Sequence, residues 1–588
     1  HPPARHHRRP GGQVQLMPSA ALTARLKALI LPPRPDPARS RRIAEGRLLV
    51  SAVIVLGVFS AIAVRVLMLA SEDNPRLTPY LADGSSVARG EVFDRNGRLL
   101  ATNLPIVVLH ADPAHIMDAK AAAQALAPML PRYDEADLLR LLTRKTRYVE
   151  LDRKLTPARH AAILQLGIPG IHFRKSVVRA YPGGDLAAHV LGHVDVDNNG
   201  IAGVEKSLNT RLAAGENITL SIDSGVQAIV ARALQAQIDD YEALAGAALM
   251  MEIGSGEIVA MVSLPDYNAN HIAAADDEAR FNRASLGLYE LGSTFKILNT
   301  AIALETGTTT LDRRYNVAKP LRVPGKSITD YKTYDWPLSV PEILVLSSNI
   351  GSAKMAAEFG GETQRTYLER LGMAQRLSLE IPETSTPQMP RQWKAAEIAT
   401  VSYGHGIAVS LPHLAAAVSA ASGDGVFLEP TLLHRAPADA RIRSRVFSPD
   451  TTRAVRSMMR LVVAHPDGTA NLAEARGYMV GGKTGTSEKV RPEGGYYKDR
   501  NIASFVATFP VHEPKYVLAI MVDDPKGQKK SYYKTTGGWV AAPAAKEIIR
   551  HAAPMLGIHP VDEKAPEIRQ KLWLDFKIGK GEMALASY

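Results

Sequence analysis

Ala247-Ala248-Leu249-Met250-Met251-Glu252-Ile253, then Gly254-Ser255-Gly256, then Ile258-Val259-Ala260-Met261-Val262, is the passage on which the fold turns. Two apolar runs of strand length joined by a glycine-bounded turn predict a β-hairpin. A second pair lies far downstream, Ser504–Phe509 and Tyr516–Val522, joined around His512-Glu513-Pro514. Between the pairs the chain reads mostly as helix. Strands at both ends with helices between them predict one α+β domain over residues 218–556, an antiparallel sheet flanked by helices and built from distant parts of the chain. Asn217–Ile222 alternates like a strand at its entrance, and Val226–Tyr241 has helical spacing.

Working outward, residues 71–217 mix short strands and helices. Asp118 is an N-cap candidate for a helix over Ala119–Ala127 with Pro128 just beyond, and Thr156 for one running toward Leu166 and stopped by Gly167. His189 and His193 are four apart, but Val190 and Gly192 lie between them and no third ligand is evident, so no metal site is expected. Residues 557–588, with Pro560 and Pro566 and scattered charge, read as a loosely held tail.

The 588 residues carry 70 Lys/Arg against 59 Asp/Glu, a net charge of +11, and no cysteine. Disulfides, thiolate metal sites and cysteine nucleophiles are thereby excluded. Residues 1–47 hold ten of the basic residues and two acids. A nucleic-acid arm is one reading of this tail. The apolar segment next to it favours another. Leu48–Val64 has no charge, and the apolar pattern continues past Arg65 to Ala70. A helix over 48–70 would be about 34 Å long, enough for a hydrocarbon core of about 30 Å. Basic residues on its N-terminal side predict a cytoplasmic tail 1–47 and an extracytoplasmic remainder, with a single span and no nucleic-acid partner.

Three short patterns carry the chemistry: Ser293-Thr294-Phe295-Lys296 before the helical Ile297–Leu304, then Ser347-Ser348-Asn349, then Lys483-Thr484-Gly485-Thr486. Singly, each has an ordinary explanation: a helix N-cap with a solvated first-turn lysine, a polar turn, and an edge strand. Their order and co-occurrence resemble the three active-site motifs of penicillin-binding proteins and serine β-lactamases.

Arg89-Gly90-Glu91, Asp94-Arg95-Asn96-Gly97, Tyr181-Pro182, His189 with Gly192, and Gly200 through Glu205 are similar to signatures of the class B pedestal (dimerisation-like) domain. Tyr403-Gly404-His405-Gly406, Gly468-Thr469-Ala470 and the stretch 537–543 are similar to recurrent positions of its transpeptidase domain. The resemblance implies a bitopic D,D-transpeptidase that cross-links peptidoglycan stem peptides without a cofactor and is acylated by β-lactams. Asn349 favours the division-specific, septal type over the elongation type. The resemblance further implies partnership with a SEDS-family glycosyltransferase and other division proteins at the bacterial inner membrane.

Elementary chemistry stands beside the resemblance. Residues 293 and 296 share one helix face, so the lysine amine can reach the hydroxyl. A serine hydroxyl needs a neighbouring base, and lysine serves only when neutral, which burial beside a second cation such as Lys483 favours. In the family, Ser347 would relay the proton to the leaving amine and Asn349 would hold Lys296 and the substrate amide. Backbone N–H groups of Ser293 and Thr486 would form the oxyanion hole, and Lys483 with Thr484 and Thr486 would bind a terminal carboxylate. Gly485 lets the strand approach the substrate closely. Two alternatives remain open at this level: a low-rate hydrolase with the same chemistry, and a chain that mainly regulates a glycan polymerase.

Overall fold

The computed structural model describes residues 50, 52–65, 88–435, 442–491 and 493–572. Residues 1–85 and 86–588 are separate units. In the first unit, residues 50 and 52–65 are helical and expose apolar side chains such as Ile54 and Phe59. The rest of the expected 48–70 span lies outside the described residues, as does the basic tail 1–47. Among the described residues no helix is long and apolar enough to cross a membrane.

In the second unit the pedestal sheet comprises β1 (Val92–Phe93), β2 (Leu99–Ala111), β3 (Val149–Leu155), β4 (Ile171–Ala180) and β5 (Ile218–Thr219). Its order is β3-β2-β1-β5, with β4 also paired to β2. Helices α1 (Ala119–Leu126), α2 (Glu135–Leu142) and α3 (Pro157–Gln165) bury Leu126, Leu138, Leu142 and Ile163 against Leu109, Leu151 and Leu155 of this sheet. The local signals are used as expected: Asp118 caps the N–H groups of Lys120 and Ala121, and Thr156 caps that of Arg159. The strand expected over Asn217–Ile222 shortens to β5, because only Ile218–Thr219 finds a partner in β1 before Leu220 bridges to Leu433.

The second sheet comprises β6 (Ala245–Glu252), β7 (Ile258–Leu264), β8 (Gly481–Val490), β9 (Tyr496–Phe509) and β10 (Tyr516–Asp523), in the order β8-β9-β10-β6-β7. β6 and β10 pair antiparallel from Ala245↔Asp523 to Glu252↔Tyr516, so the two hairpins meet in mid-sheet. Neither strand alternates in polarity, because both faces are covered: every residue of β10 is buried. The same domain contains helices α4 (Ser224–Asp240), α5 (Lys296–Glu305), α6 (Val340–Val345), α7 (Asn349–Arg370), α8 (Leu411–Ser422), α9 (Pro449–Ala464) and α10 (Gly537–Met555), among shorter elements. Helix α8 is buried along its whole length. Each fully buried Leu, Ile, Val or Met of this core stabilises the fold by about 1.5–3 kcal/mol.

One core runs without interruption from the pedestal residues Val190, Val204 and Leu212 to Ile218, Val226 and the second sheet. The expectation of a loosely held tail fails over residues 557–572. There α11 (Pro566–Leu572) buries Ile568 and Leu572, Val561 N–H donates to Gly477 O at 2.9 Å, and Glu563 accepts from Gly477 N–H and Arg460. Leu572 O also accepts from Ser457 Oγ on α9 at 2.9 Å. This burial and bonding outweigh the prolines and charges that made the segment read as loose. The remaining residues, 573–588, lie outside the described residues. His189 is a packing residue: its Nε2 donates to Ala279 O at 2.8 Å, and its ring lies edge-on to Tyr267.

Candidate active site

The turn that carries Ser293 is a 3-10 segment, Gly292–Phe295, leading into α5 at Lys296. Ser293 is therefore not a helix N-cap. The turn is held from both sides: Ser504 Oγ on β9 donates to Leu291 O at 3.1 Å, and Thr294 Oγ1 donates to the same carbonyl at 3.0 Å. Gly292 has φ +55°, and a Cβ there would stand 2.8 Å from Thr486 O. A Cβ on Gly485 would stand 2.2 Å from Leu291 O. The two glycines let the Ser293 turn lie flat against β8, the edge strand of the sheet.

Ser347 lies in the turn between α6 and α7, and Asn349 is the first residue of α7. Asn299 on α5 donates to the carbonyl and hydroxyl of Ser352 on α7, each at 3.0 Å, which fixes α7 beside α5. Lys296 Nζ then lies 3.0 Å from Ser293 Oγ, 3.1 Å from Ser347 Oγ, 2.6 Å from Ser347 O and 2.7 Å from Asn349 Oδ1. Lys483 Nζ lies 3.0 Å from Ser347 Oγ and 3.0 Å from its neighbour's carbonyl, Thr484 O. Thr484 Oγ1 donates to Thr469 Oγ1, and Thr486 Oγ1 accepts from Gly537 N–H. The three remote sequence patterns thus meet in one place. Both lysines are fully buried, while Ser293, Ser347, Asn349 and Thr486 keep partial access to solvent.

Counting donors and acceptors shows what state the site favours. Ser347 O and Asn349 Oδ1 only accept, and Asn349's orientation is fixed because its Nδ2 donates to Thr329 O at 3.1 Å. They take two N–H groups of Lys296 at the two shortest contacts. The remaining direction on the nitrogen faces the Ser293 and Ser347 hydroxyls, where a neutral amine presents its lone pair. Burial pushes Lys296 well below its usual range, and the charge of Lys483 pushes in the same direction while Asp330 opposes both. Burial lowers Lys483 to about 7. A hydroxyl beside a neutral amine, with a second hydroxyl touching both amines, is a set of groups able to activate a serine and return its proton.

Two acids that no motif flagged shape the surroundings. Glu290 accepts from Gly406 N–H and from Tyr496 OH, each at 3.0 Å, and burial raises its carboxyl. It ties the 403–406 loop to β9 behind Ser293. His405 on that loop is pushed down to about 4 by burial, then by Lys326 and Lys296. Asp330 sits under the Ser347–Asn349 turn. Both acids lack a sequence signal because their partners are groups far away in the chain, backbone N–H groups among them.

The family description of a penicillin-binding protein transpeptidase domain matches residues 246–550, and that of a penicillin-binding protein dimerisation domain matches residues 85–222. The chain is 37% identical over 489 residues to the probable peptidoglycan D,D-transpeptidase FtsI of Caulobacter vibrioides, covering 81% of this chain and 83% of that one. It is 31% identical over 512 residues to the peptidoglycan D,D-transpeptidase FtsI of Escherichia coli K12, covering 81% and 85%. Penicillin-binding protein 3 of Mycobacterium tuberculosis, solved in complex with aztreonam, superposes with a TM-score of 0.64 at 24% identity, over 81% of this chain and 98% of that one. At that identity the superposition establishes the fold.

Proposed function

The chain belongs to the penicillin-binding protein family of peptidoglycan D,D-transpeptidases, and on that footing we propose that Ser293 is its nucleophile and Lys296 the base. The enzyme is a serine-type acyl transferase. The observation that carries the assignment is the 3.0 Å approach of Lys296 Nζ to Ser293 Oγ, from an amine whose other contacts occupy its donors. Ser293 Oγ bonds to the carbonyl carbon of the penultimate D-Ala as its proton passes to Lys296 Nζ. The carbonyl electrons move onto oxygen, facing the backbone N–H groups of Ser293 and Thr486. As the C–N bond breaks, the proton travels through Ser347 to the departing D-Ala amine. An amine from a neighbouring stem peptide then attacks the acyl-enzyme, and its proton returns by Lys296 to Ser293. Lys483, Thr484 and Thr486 hold the terminal carboxylate, Gly485 keeps the strand close, and Asn349 orients Lys296.

Ser293→Ala should abolish covalent labelling by a fluorescent penicillin while leaving the melting temperature unchanged. Undiminished labelling of that variant sinks the assignment. Septal action follows from the similarity to relatives named FtsI and from Asn349 in the second motif. The apolar run 48–70 as a single membrane helix, with 1–47 cytoplasmic, is supported by its length and flanking charge. Sedimentation of the full chain with membranes tests that span. Co-purification of a SEDS-family glycosyltransferase through residues 40–225 tests the proposed partnership.

A further inference from the structure

The turn that presents Ser347 and Asn349 is anchored by a carboxylate outside all three motifs. Asp330 follows the small hairpin of Leu321–Val323 and Lys326–Ile328. Its Oδ1 accepts from Asn349 N–H at 2.5 Å and Ile350 N–H at 3.0 Å, and its Oδ2 accepts from Ser348 Oγ at 2.6 Å. Ser348 Oγ accepts in turn from Gly351 N–H at 2.9 Å, and the carbonyl of Thr329 accepts from Asn349 Nδ2. The N–H groups of the first three residues of α7 are therefore satisfied by two side chains that also bond each other.

Ser347, one residue upstream, depends on this anchoring. It has φ +60°, a left-handed conformation that a non-glycine residue rarely holds. It is clamped on its other side by Ser348 N–H donating to Ile343 O of α6 at 3.0 Å. In that conformation both the carbonyl and the hydroxyl of Ser347 face Lys296 Nζ. Resting on the assignment of Lys296 as base, we infer that Asp330 is a positioning residue for acyl transfer, locking the Ser347–Asn349 turn in the strained geometry that cradles Lys296.

Its negative charge acts as well. Lys296 is faced by Lys483 on β8, by Asp330 from beneath α7 and by the buried, neutral His405, while Tyr334 also feels Asp330. Of these, Asp330 favours the protonated lysine, against burial and Lys483. Removing the charge while keeping the contacts thus lowers the pH at which Lys296 becomes a base.

The experiment is the acylation rate of the full chain by a fluorescent penicillin across pH, for wild type, Asp330→Asn, Asp330→Ala and Ser293→Ala. In Asp330→Asn the amide oxygen can still accept from the two N–H groups and the amide nitrogen can meet Ser348 Oγ. Its plateau should therefore stay within about threefold, and its acid limb should move to lower pH. Asp330→Ala should lose about ten- to a hundredfold of the plateau as the turn relaxes. An Asp330→Asn profile that superimposes on wild type, or an Asp330→Ala variant with the wild-type plateau, overturns the inference. If Asp330→Ala does not fold, the Asp330→Asn profile alone decides. Loss of labelling in Ser293→Ala alongside an unshifted Asp330→Asn profile leaves the assignment of the nucleophile standing and removes only the role of Asp330.

Discussion

The deeply buried cationic side chains of the pedestal and those of the cleft do opposite things. In the pedestal, Arg89 Nε donates to Glu205 Oε2 at 2.7 Å and Arg179 Nε to Glu205 Oε1 at 2.6 Å, with all three side chains almost fully shielded. Arg89 also donates to Asn209 Oδ1 and to two backbone carbonyls. In the cleft, Lys296 and Lys483 are as deeply buried, but their hydrogen-bond partners are hydroxyl, carbonyl and amide oxygens. The guanidiniums bind one shared anion and hold residues 89, 179 and 205 of the pedestal together. The ammoniums, lacking an anion at contact, are poised to give up a proton. The cations are buried in both places, but only the pedestal sets an anion at contact, while the cleft sets neutral oxygens there.

That contrast is most sharply broken by Lys296→Arg. It keeps a long nitrogen-bearing side chain but substitutes a permanently charged group that does not act as a base, and should cut acylation by about a thousandfold or more, read by single-turnover labelling. A variant within tenfold of wild type would show that Lys296 is not the base. In the pedestal, Glu205→Gln strands two buried guanidiniums and should destabilise the fold by about 3–5 kcal/mol in denaturant unfolding, while folded protein still acylates at the normal rate.

A smaller effect comes from Lys483. Burial holds it near 7 in the free enzyme, so its charge is present below that pH and lost above it. Binding of a carboxylate-bearing β-lactam should accordingly weaken as pH rises through that range, by up to about tenfold per unit. A flat second-order acylation constant between pH 6 and 9 counts against a carboxylate-holding role. The smallest change is Asp118→Ala, which removes an exposed N-cap from the same pedestal. About 1 kcal/mol lost in unfolding, with acylation untouched, would attribute the cost at Glu205 to buried charge and not to the pedestal as such.

Much of this was legible in the chain. The hairpin at Gly254–Gly256, the helices behind Asp118 and Thr156, and the two strands around residue 512 rest on contacts within a few residues, so local pattern is enough to find them. The same is true of Ser293 and Lys296, three residues apart. Asp330 and Glu290 were not legible, because a carboxylate that serves remote backbone N–H groups leaves no spacing to read. The segment 557–572 misled for a related reason: its polar composition says nothing of Ile568 and Leu572, which are buried only because the second domain offers a place for them.

By itself the sequence determined which groups this protein owns and in what order it carries them: one hydroxyl beside one lysine, a Ser-x-Asn turn, and a Lys-Thr-Gly strand. Tertiary structure decided that residues 51 and 136 positions apart would touch, through the pairing of β8 with β9 and the packing of α7 on α5. It also decided the charge on the two lysines. A side chain's reach is local, whereas desolvation and the choice of neighbours exist only once the whole chain has closed around them.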